Sequence, residues 1–297
     1  MFIPLNTAAY TPNTLNSGFP AQANQTTGRG FFTAPNRSAS GKLIRAVSST
    51  FSDVWSQPRL FFNSLLPAEQ QFVVNAIRFE TSNIQSKIVK NNVLIQLNRI
   101  SHDIAVRVAE ALGMTAPPPD PTFYNNNVTT GVSVFKNKLL RLDGLKVGFL
   151  TSAGTTNPSY NSSLSTLQAS FASMGVDLVV VAESLVPGVN QTYSATDASN
   201  FDGIIVSDGT AGLFTANANS STSTLYPAGR PLQILVSGYR WGKPVGAIGS
   251  GSQAFTAAGI PTGTPGVFTV PAGGNIASVF DDALRTFKFL DRFKLDH

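Results

Sequence analysis

Between residues 67 and 113 the apolar positions recur at helical spacing. Phe72, Val73, Ala76 and Ile77 follow Pro67, a residue suited to the first turn of a helix. Val89, Val93, Leu94 and Leu97 form a second stripe, and Ile104, Ala105, Val108 and Leu112 a third that opens at Ser101 and Asp103. Gly113 stands where a left-handed cap would end the last of them. The spacing predicts three or four short helices in a helical domain over residues 63–113.

From Gly144 onward the pattern changes to short apolar runs separated by helical stretches. Lys146–Leu150, Val176–Ala182, Gly203–Val206 and Pro244–Ile248 read as strands buried on both faces. Helices are predicted around 164–174, with Gly175 ending the first, then over 232–237 and 252–258, and from near Ile276 to about Leu290. Strand–helix alternation of this kind specifies an open parallel sheet covered by helices, a flavodoxin-like doubly wound domain over residues 144–297. Between the two lies a linker, residues 114–143, in which Pro117, Pro118, Pro119 and Pro121 force an extended path and three consecutive asparagines, 125–127, add turn formers.

Residues 1–62 sustain neither a helical nor a strand period. A stretch of that length without a pattern is unusual inside a compact domain. It is expected to be an irregular wrapping segment that drapes over another surface, with Phe2, Phe19, Phe31, Phe32, Trp55, Phe61 and Phe62 as anchors. The fold class is thus α/β: a wrapping segment, a short helical domain, a linker and a doubly wound domain.

Composition narrows the chemistry. The chain has 297 residues, no cysteine and two histidines, His102 and His297. Disulfides, thiolate nucleophiles, zinc-finger sites and iron–sulfur clusters are excluded together. Charged residues make up 12%, about half the usual quarter, and Asn, Ser, Thr, Gly and Pro take their place. The net charge of +5 resides in the first half, since residues 1–143 carry 13 basic and 7 acidic groups and residues 144–297 carry 8 and 9. Arg29, Arg37, Arg45, Arg59, Arg78 and Arg107 are scattered rather than clustered, so solvated surface is expected and no nucleic acid partner. No apolar run approaches the roughly 18 residues of a membrane span, so no membrane partner is expected, and the opening residues lack a signal peptide's basic and apolar regions. Six Asn-x-Ser/Thr sequons, at Asn24, Asn36, Asn127, Asn161, Asn190 and Asn219, barely exceed the number that chance gives in so polar a chain. Cytoplasmic and secreted locations both fit.

Several segments then resemble a known family. Tyr10-Thr11-Pro12-Asn13, Gly28-Arg29-Gly30-Phe31, Trp55-Ser56-Gln57-Pro58-Arg59-Leu60-Phe61, Asn75-Ala76-Ile77-Arg78-Phe79-Glu80 and the run from Gln96 to Asp103 resemble large-subunit monofunctional catalases, the fungal members most. The resemblance covers the region after the haem barrel and the extra C-terminal domain that only large-subunit catalases carry. Leu66 departs from it, standing where a Ser or Thr would cap the helix. The resemblance implies a homotetrameric haem enzyme that decomposes hydrogen peroxide, with the early segment wrapping a neighbouring subunit and the C-terminal domain guarding access to the haem. It also implies which chemistry is missing. The family's haem iron is held by a tyrosinate in an Arg-x-x-x-Tyr motif, with a distal His and Asn beside it. No tyrosine of this chain has an arginine four residues before it, and neither histidine has the distal context. No haem and no other cofactor is expected in this chain.

The C-terminal domain further resembles the amidotransferase and intracellular-protease superfamily, whose strand-to-helix elbow presents a nucleophilic cysteine. The matching stretch runs from Lys243 to Gly251, and the cysteine position aligns with Gly249. Ser250 or Ser252 could substitute only with a base at hand, and no histidine lies between Gly144 and Asp296; Lys243, on the incoming strand, is not placed beside either serine by the sequence. The G-x-S-x-G pattern is also broken, because Ile248 stands two before Ser250. Gly246, Gly249 and Gly251 could cradle an anion, but they lack the dinucleotide spacing and close strand–helix packing is the simpler use. The loop after the first strand, Thr151 to Gly154, lacks that fingerprint too. Asp208, at the carboxyl edge of the sheet, reads as a turn residue, and Asp281 with Asp282 as acids near a helix start that favour its dipole. His102 has no second ligand at i+4, where Val106 stands. Of Phe287, Phe289 and Phe293 only the last two would share a face of a terminal helix, where core packing accounts for them.

No catalytic, cofactor or metal residue is therefore assigned. The chain reads as the non-catalytic C-terminal region of a large-subunit catalase. Its partners would be its own barrel and the neighbouring subunits, and it would serve assembly and stability. An ATP-independent holdase activity toward unfolded clients is a further expectation, because truncation would expose apolar surface. The alternative is a small-molecule hydrolase or glyoxalase-like enzyme on the amidotransferase-like domain.

Overall fold

The structure, a computed structural model, describes residues 37–38, 40–42, 44–154, 158–214 and 224–296. It divides into two units, Met1–Ser52 and Asp53–His297. In the described part of the first, a 3₁₀ turn spans Ser49–Ser52. The anchors expected at Phe2, Phe19, Phe31 and Phe32 lie outside the described residues.

The second unit opens with helix α1 (Ser56–Ser64), inside the stretch whose sequence shows no period. The expectation of an irregular path there is corrected for a physical reason. The two buried positions are Arg59 and Phe62, so one of them is a charged residue that breaks the apolar stripe. Arg59 donates from Nε to the Ile100 carbonyl at 3.2 Å and from Nη2 to that of Arg99 at 2.6 Å, so its guanidinium satisfies the carbonyl end of a neighbouring helix. Asp53 starts α1 by accepting from the amides of Trp55 and Ser56, both at 3.0 Å.

Three more helices follow as the stripes predict: α2 (Pro67–Ser82), α3 (Lys87–Ile100) and α4 (His102–Ala111). Leu66 offers α2 no side-chain cap, but Glu69 supplies the other half of a capping box by accepting from the Leu66 amide at 2.8 Å. Gly113, at φ +62°, turns the chain after α4, and the Met114 amide closes back on the Ala109 carbonyl at 3.0 Å. Phe62, Val74, Leu94, Leu97, Ile104, Ala105 and Val108 form the core of this helical layer.

No helix or strand forms between residues 112 and 145, yet the segment is tied down along its length. The Pro118 carbonyl accepts from Asn98 Nδ2 at 2.8 Å, the Asn125 carbonyl from Asn63 Nδ2 at 2.8 Å, and the Thr129 amide donates to Ser64 Oγ at 2.9 Å. Farther on, Leu139 N donates to the Arg285 carbonyl at 2.7 Å.

The rest is the doubly wound domain. Strands β1 (Lys146–Leu150), β2 (Asp177–Ala182), β3 (Gln191–Thr192), β4 (Gly203–Val206), β5 (Val245–Ile248) and β6 (Val267–Val270) form one all-parallel sheet in the order β3-β2-β1-β4-β5-β6. Phe149 pairs with Val180 on one side and Ile205 on the other, which puts β1 at the centre. Helices α5 (Pro158–Ser173), α6 (Arg230–Arg240), α7 (Gln253–Ala257) and α8 (Ala277–Thr286) cover the sheet. Successive residues feed opposite cores: Leu150, Ile204 and Val206 pack with Ile234, Leu235 and Phe255, whereas Val147, Phe149 and Ile205 pack with Leu167, Phe171 and Phe280. The two strands absent from the sequence reading, β3 and β6, lie at the sheet edges. One has only two residues, and the other is only half-buried, so neither makes a long apolar run.

Helix α8 stops short of its expected end near Leu290. Phe287 takes φ +63° and ψ −50°, and the Lys288 amide bonds the Thr286 carbonyl at 2.7 Å, a γ-turn of the rare hand. Phe289 and Phe293 accordingly do not share a helix face; they flank a 3₁₀ turn at Leu290–Arg292. Tertiary contacts set that path. The Phe289 amide donates to the Gly242 carbonyl at 2.8 Å. The Phe289 ring settles over Gly266, where an added Cβ would come within 2.3 Å of it. Beyond the turn Phe293 meets Phe72 edge to face at 4.7 Å, carrying the tail from the doubly wound domain to α2.

Candidate functional site

The sheet order reverses between β1 and β4, so the ends of β1, β2, β4 and β5 define the crevice where open α/β sheets place ligands. Polar side chains fill it and bond mainly to one another. Ser152 Oγ and the Ala153 amide, just past β1, donate to the two oxygens of Glu183 at 2.7 and 2.6 Å. Beneath them Tyr193 Oη donates to the Thr151 carbonyl at 2.7 Å, and Ser207 Oγ donates to Thr151 Oγ1 at 2.9 Å. Glu183 is absent from the sequence reading, although an acid directly after the buried run of β2 marks the same edge.

At the end of β5 the chain makes the expected elbow. Gly249 takes φ +52°, followed by a 3₁₀ turn at Gly249–Ser252 that runs into α7. Its neighbours serve packing: a Cβ at Gly246 would meet Ile276 and Phe280 at 2.6 Å, and one at Gly251 would meet the Ser207 carbonyl oxygen at 2.4 Å. Asp208, expected to be a plain turn residue, reaches across from the end of β4. Its Oδ1 accepts from the Ser250 amide at 2.8 Å and from Ser250 Oγ at 2.6 Å, while Ser250 Oγ accepts from the Gly209 amide at 2.8 Å. The Ser250 hydroxyl, then the Ser250 amide, hold the Asp208 carboxyl below the usual carboxylate range. A carboxylate so stabilised is a poor base for a serine. Ser252 Oγ donates to the Gly249 carbonyl at 2.8 Å, inside the same turn.

Lys243 lies just before β5, six residues and about 20 Å of extended chain from Gly249. It is buried, and Nζ donates to the carbonyls of Ala198, at 2.7 Å, and Phe201. Burial lowers its pKa, but neither serine is beside it. Asp281 and Asp282 sit beyond the first turn of α8, which contains no acid, so the dipole role expected for them is corrected. Asp281 accepts from Arg285 Nε at 3.2 Å, and Asp282 pairs with Lys138. A cleft of about 580 Å³ is lined by Arg141, Asp143, Ser170, Asp281 and Arg285, and no elbow residue contributes to it.

His102 is the first residue of α4, and its Nδ1 lies 2.8 Å from Asn98 Oδ1, an oxygen that also accepts from Tyr124 Oη at 3.0 Å. Among the described residues no group of three His, Asp or Glu side chains is placed to hold a metal ion, and no helix is long and apolar enough to cross a membrane. The hydroxyls of Tyr124 and Tyr193 are engaged as above, Tyr226 is buried against the Tyr193 ring at 5.2 Å, and Tyr239 lies under the Arg292 guanidinium at 4.6 Å.

Residues 143–294 match the C-terminal domain found in long catalases, and residues 48–112 match a domain described as catalase-related immune-responsive. The chain is 59% identical to Catalase B of Aspergillus oryzae over 306 residues, covering 100% of this chain and 42% of that protein. It is 50% identical to Catalase-3 of Neurospora crassa, over 99% of this chain and 40% of the relative. A bacterial similarity, to Catalase HPII of Mycobacterium avium, is 24% over 87% of this chain and 36% of that one. The chain spans about two fifths of the length of these curated relatives. With a flavodoxin-like parallel sheet behind an elbow that bears glycine, and with matches along its whole length, the chain belongs to the large-subunit catalases and corresponds to their C-terminal part.

Proposed function

We propose that this chain is a non-catalytic region serving assembly and stability in a subunit whose peroxide chemistry resides in the part of the family's sequence not spanned here. The observation that carries the reading is the elbow. Its turn keeps the backbone of a nucleophile site, but Gly249 has no side chain, the Ser250 hydroxyl and amide hold the Asp208 carboxyl below its usual range, and Lys243 stands at the other end of the strand. The hydrolase or glyoxalase-like alternative has neither a cysteine nor, between Gly144 and Asp296, a histidine to rest on.

In the full subunit the domains read as a wrapping arm, a helical layer, a tied-down linker and a doubly wound cap, with the arm and helical layer meeting the haem barrel and neighbouring subunits of a homotetramer. Phe61, Phe79 and Ile88, at 49%, 71% and 74% exposure on the helical layer, support such contacts. The same surface, left uncovered, supports an ATP-independent holdase activity. The test has two arms. The chain, mixed with haemin and peroxide, is expected to give no Soret shift and no oxygen beyond those of haemin alone. The full-length subunit cut before residue 144 is expected to keep its Soret band while losing thermal stability or tetramer. Oxygen evolution by the chain beyond that of haemin alone, or a cut subunit as stable and as tetrameric as the intact one, would overturn the reading.

A further inference from the structure

The elbow after β5 is vacant in sequence but filled in space. Gly249 is held at φ +52°, the conformation that aims a side chain outward at such a turn. A Cβ built there would lie 2.5 Å from Asp208 Oδ1, 2.6 Å from Asp208 Cγ and 3.0 Å from Oδ2. Real Cβ atoms do not approach that closely, and Asp208 is not a loose end that could swing away. Its Oδ1 is bonded to both the amide and the hydroxyl of Ser250, and Ser250 Oγ is tied to the Gly209 amide at 2.8 Å. The carboxylate therefore takes the amide of the residue after the nucleophile position, the donor that an elbow enzyme turns toward its oxyanion. It also presents negative charge where a thiolate would stand. The closing side chain comes from just past β4, 41 residues earlier in the sequence.

We propose that Asp208 is a built-in occupant of the elbow, taking both the volume and the amide that a side chain at position 249 would use, so that the turn is closed by the chain itself. Restoring a cysteine at 249 alone does not re-arm the site; Asp208 has to be taken away as well. This inference stands whatever the full subunit does, because it concerns only how one turn is filled.

The chain contains no cysteine, so a thiol introduced at 249 is read without background. The experiment compares Gly249→Cys with Asp208→Ala/Gly249→Cys in the full chain, by the rate of iodoacetamide alkylation at pH 7.5 and by thermal midpoint. Strain at φ +52° is common to both variants and cancels in the comparison. A neighbouring carboxylate that raises the thiol pKa by one unit makes the thiolate about ten-fold scarcer. Alkylation is therefore expected to be at least about ten-fold faster in the double variant. Asp208→Ala is expected to lower the midpoint less in the cysteine background than in the native one. Equal alkylation rates with equal midpoint losses would overturn the proposal. If Gly249→Cys does not fold, Gly249→Ala decides by midpoint alone, since its methyl group meets the same carboxylate. A smaller loss from Asp208→Ala in the Gly249→Ala background than in the native one supports the occupant, and an equal loss removes it.

Discussion

Lys288 follows the γ-turn at Phe287 and lays its ammonium 5.3 Å over that ring. Burial first, and then repulsion from Lys243, push its amine down from 10.5 to about 8, with Asp202 opposing. An unfolded chain would keep the proton up to about pH 10.4. Between those values the unfolded state binds a proton that the native state has already released, so stability rises with pH across the window. Lys243, lowered by the same burial, adds to the slope. The thermal midpoint is expected to climb, or to fall less than in ordinary domains, between about pH 8 and 10, and Lys288→Met is expected to flatten that trend. A variant with an unchanged profile would show that the amine is not desolvated. None of this was legible in the sequence, where Lys288 is one cation in a run of aromatics. Nor could the Asp208–Ser250 contact be read there, because it joins loops 42 residues apart. Asn98 is the same kind of case. It looks like one more polar helix residue, yet it is buried and bonds Pro118, Tyr124 and His102 together.

At the scale of elements, legibility followed length and one-sided burial. Helices α2, α3 and α4 each carry enough turns for a stripe, and β1, β4 and β5 are short apolar runs because helices cover both faces of the sheet. Where position is set by contacts distant in sequence, the pattern failed, as at α1 with its buried arginine and at the tail after α8. That tail is a clasp. Asp296 bonds Arg78 Nη2 at 2.8 Å and Arg107 Nε at 3.0 Å, its amide donates to Gln71 Oε1 at 3.0 Å, and Phe293 packs on Phe72. Arg78, first among its partners, holds the Asp296 carboxyl well below the usual carboxylate range, so the clasp is intact at neutral pH and is lost only as pH falls toward strong acid. Within residues 53–297, trypsin is expected to cut first at Lys136, an exposed residue in a segment with no helix or strand. The two pieces are expected to stay together on a sizing column. Asp296→Ala should weaken their association by about 1–3 kcal/mol, the size of hydrogen bonds to charged groups. Fragments that separate equally well with either residue at 296 would show that the clasp contributes nothing.

The whole molecule combines a low charge density with apolar side chains left in the open, and that combination bears on the holdase reading. Of the aromatic anchors expected in the early segment, Phe62 is buried in the helical layer, and Trp55 packs edge to face on Phe123 at 5.3 Å with the Arg99 guanidinium 4.7 Å over it. Those two cannot capture clients without unfolding the layer. Phe61, Phe79 and Ile88 remain exposed on the helices. Each such side chain, once covered by a client, contributes about 1.5–3 kcal/mol at best, so several together are needed for a useful affinity. The net charge is only +5 and the basic residues are scattered, and binding through apolar contacts should persist when salt is raised, whereas binding through charge would fade. The chain is therefore expected to suppress light scattering from a heat-labile client at equimolar ratio, without ATP and with little dependence on salt. A Phe79→Ser/Ile88→Ser variant changes only exposed positions, where substitutions ordinarily shift stability by about 0.5 kcal/mol or less, so its fold and melting point should hold while suppression falls. Full aggregation of the client in the presence of the native chain would end the holdase reading. Suppression undiminished in the variant would show that the activity resides away from these helices, in a surface that the full subunit need not cover.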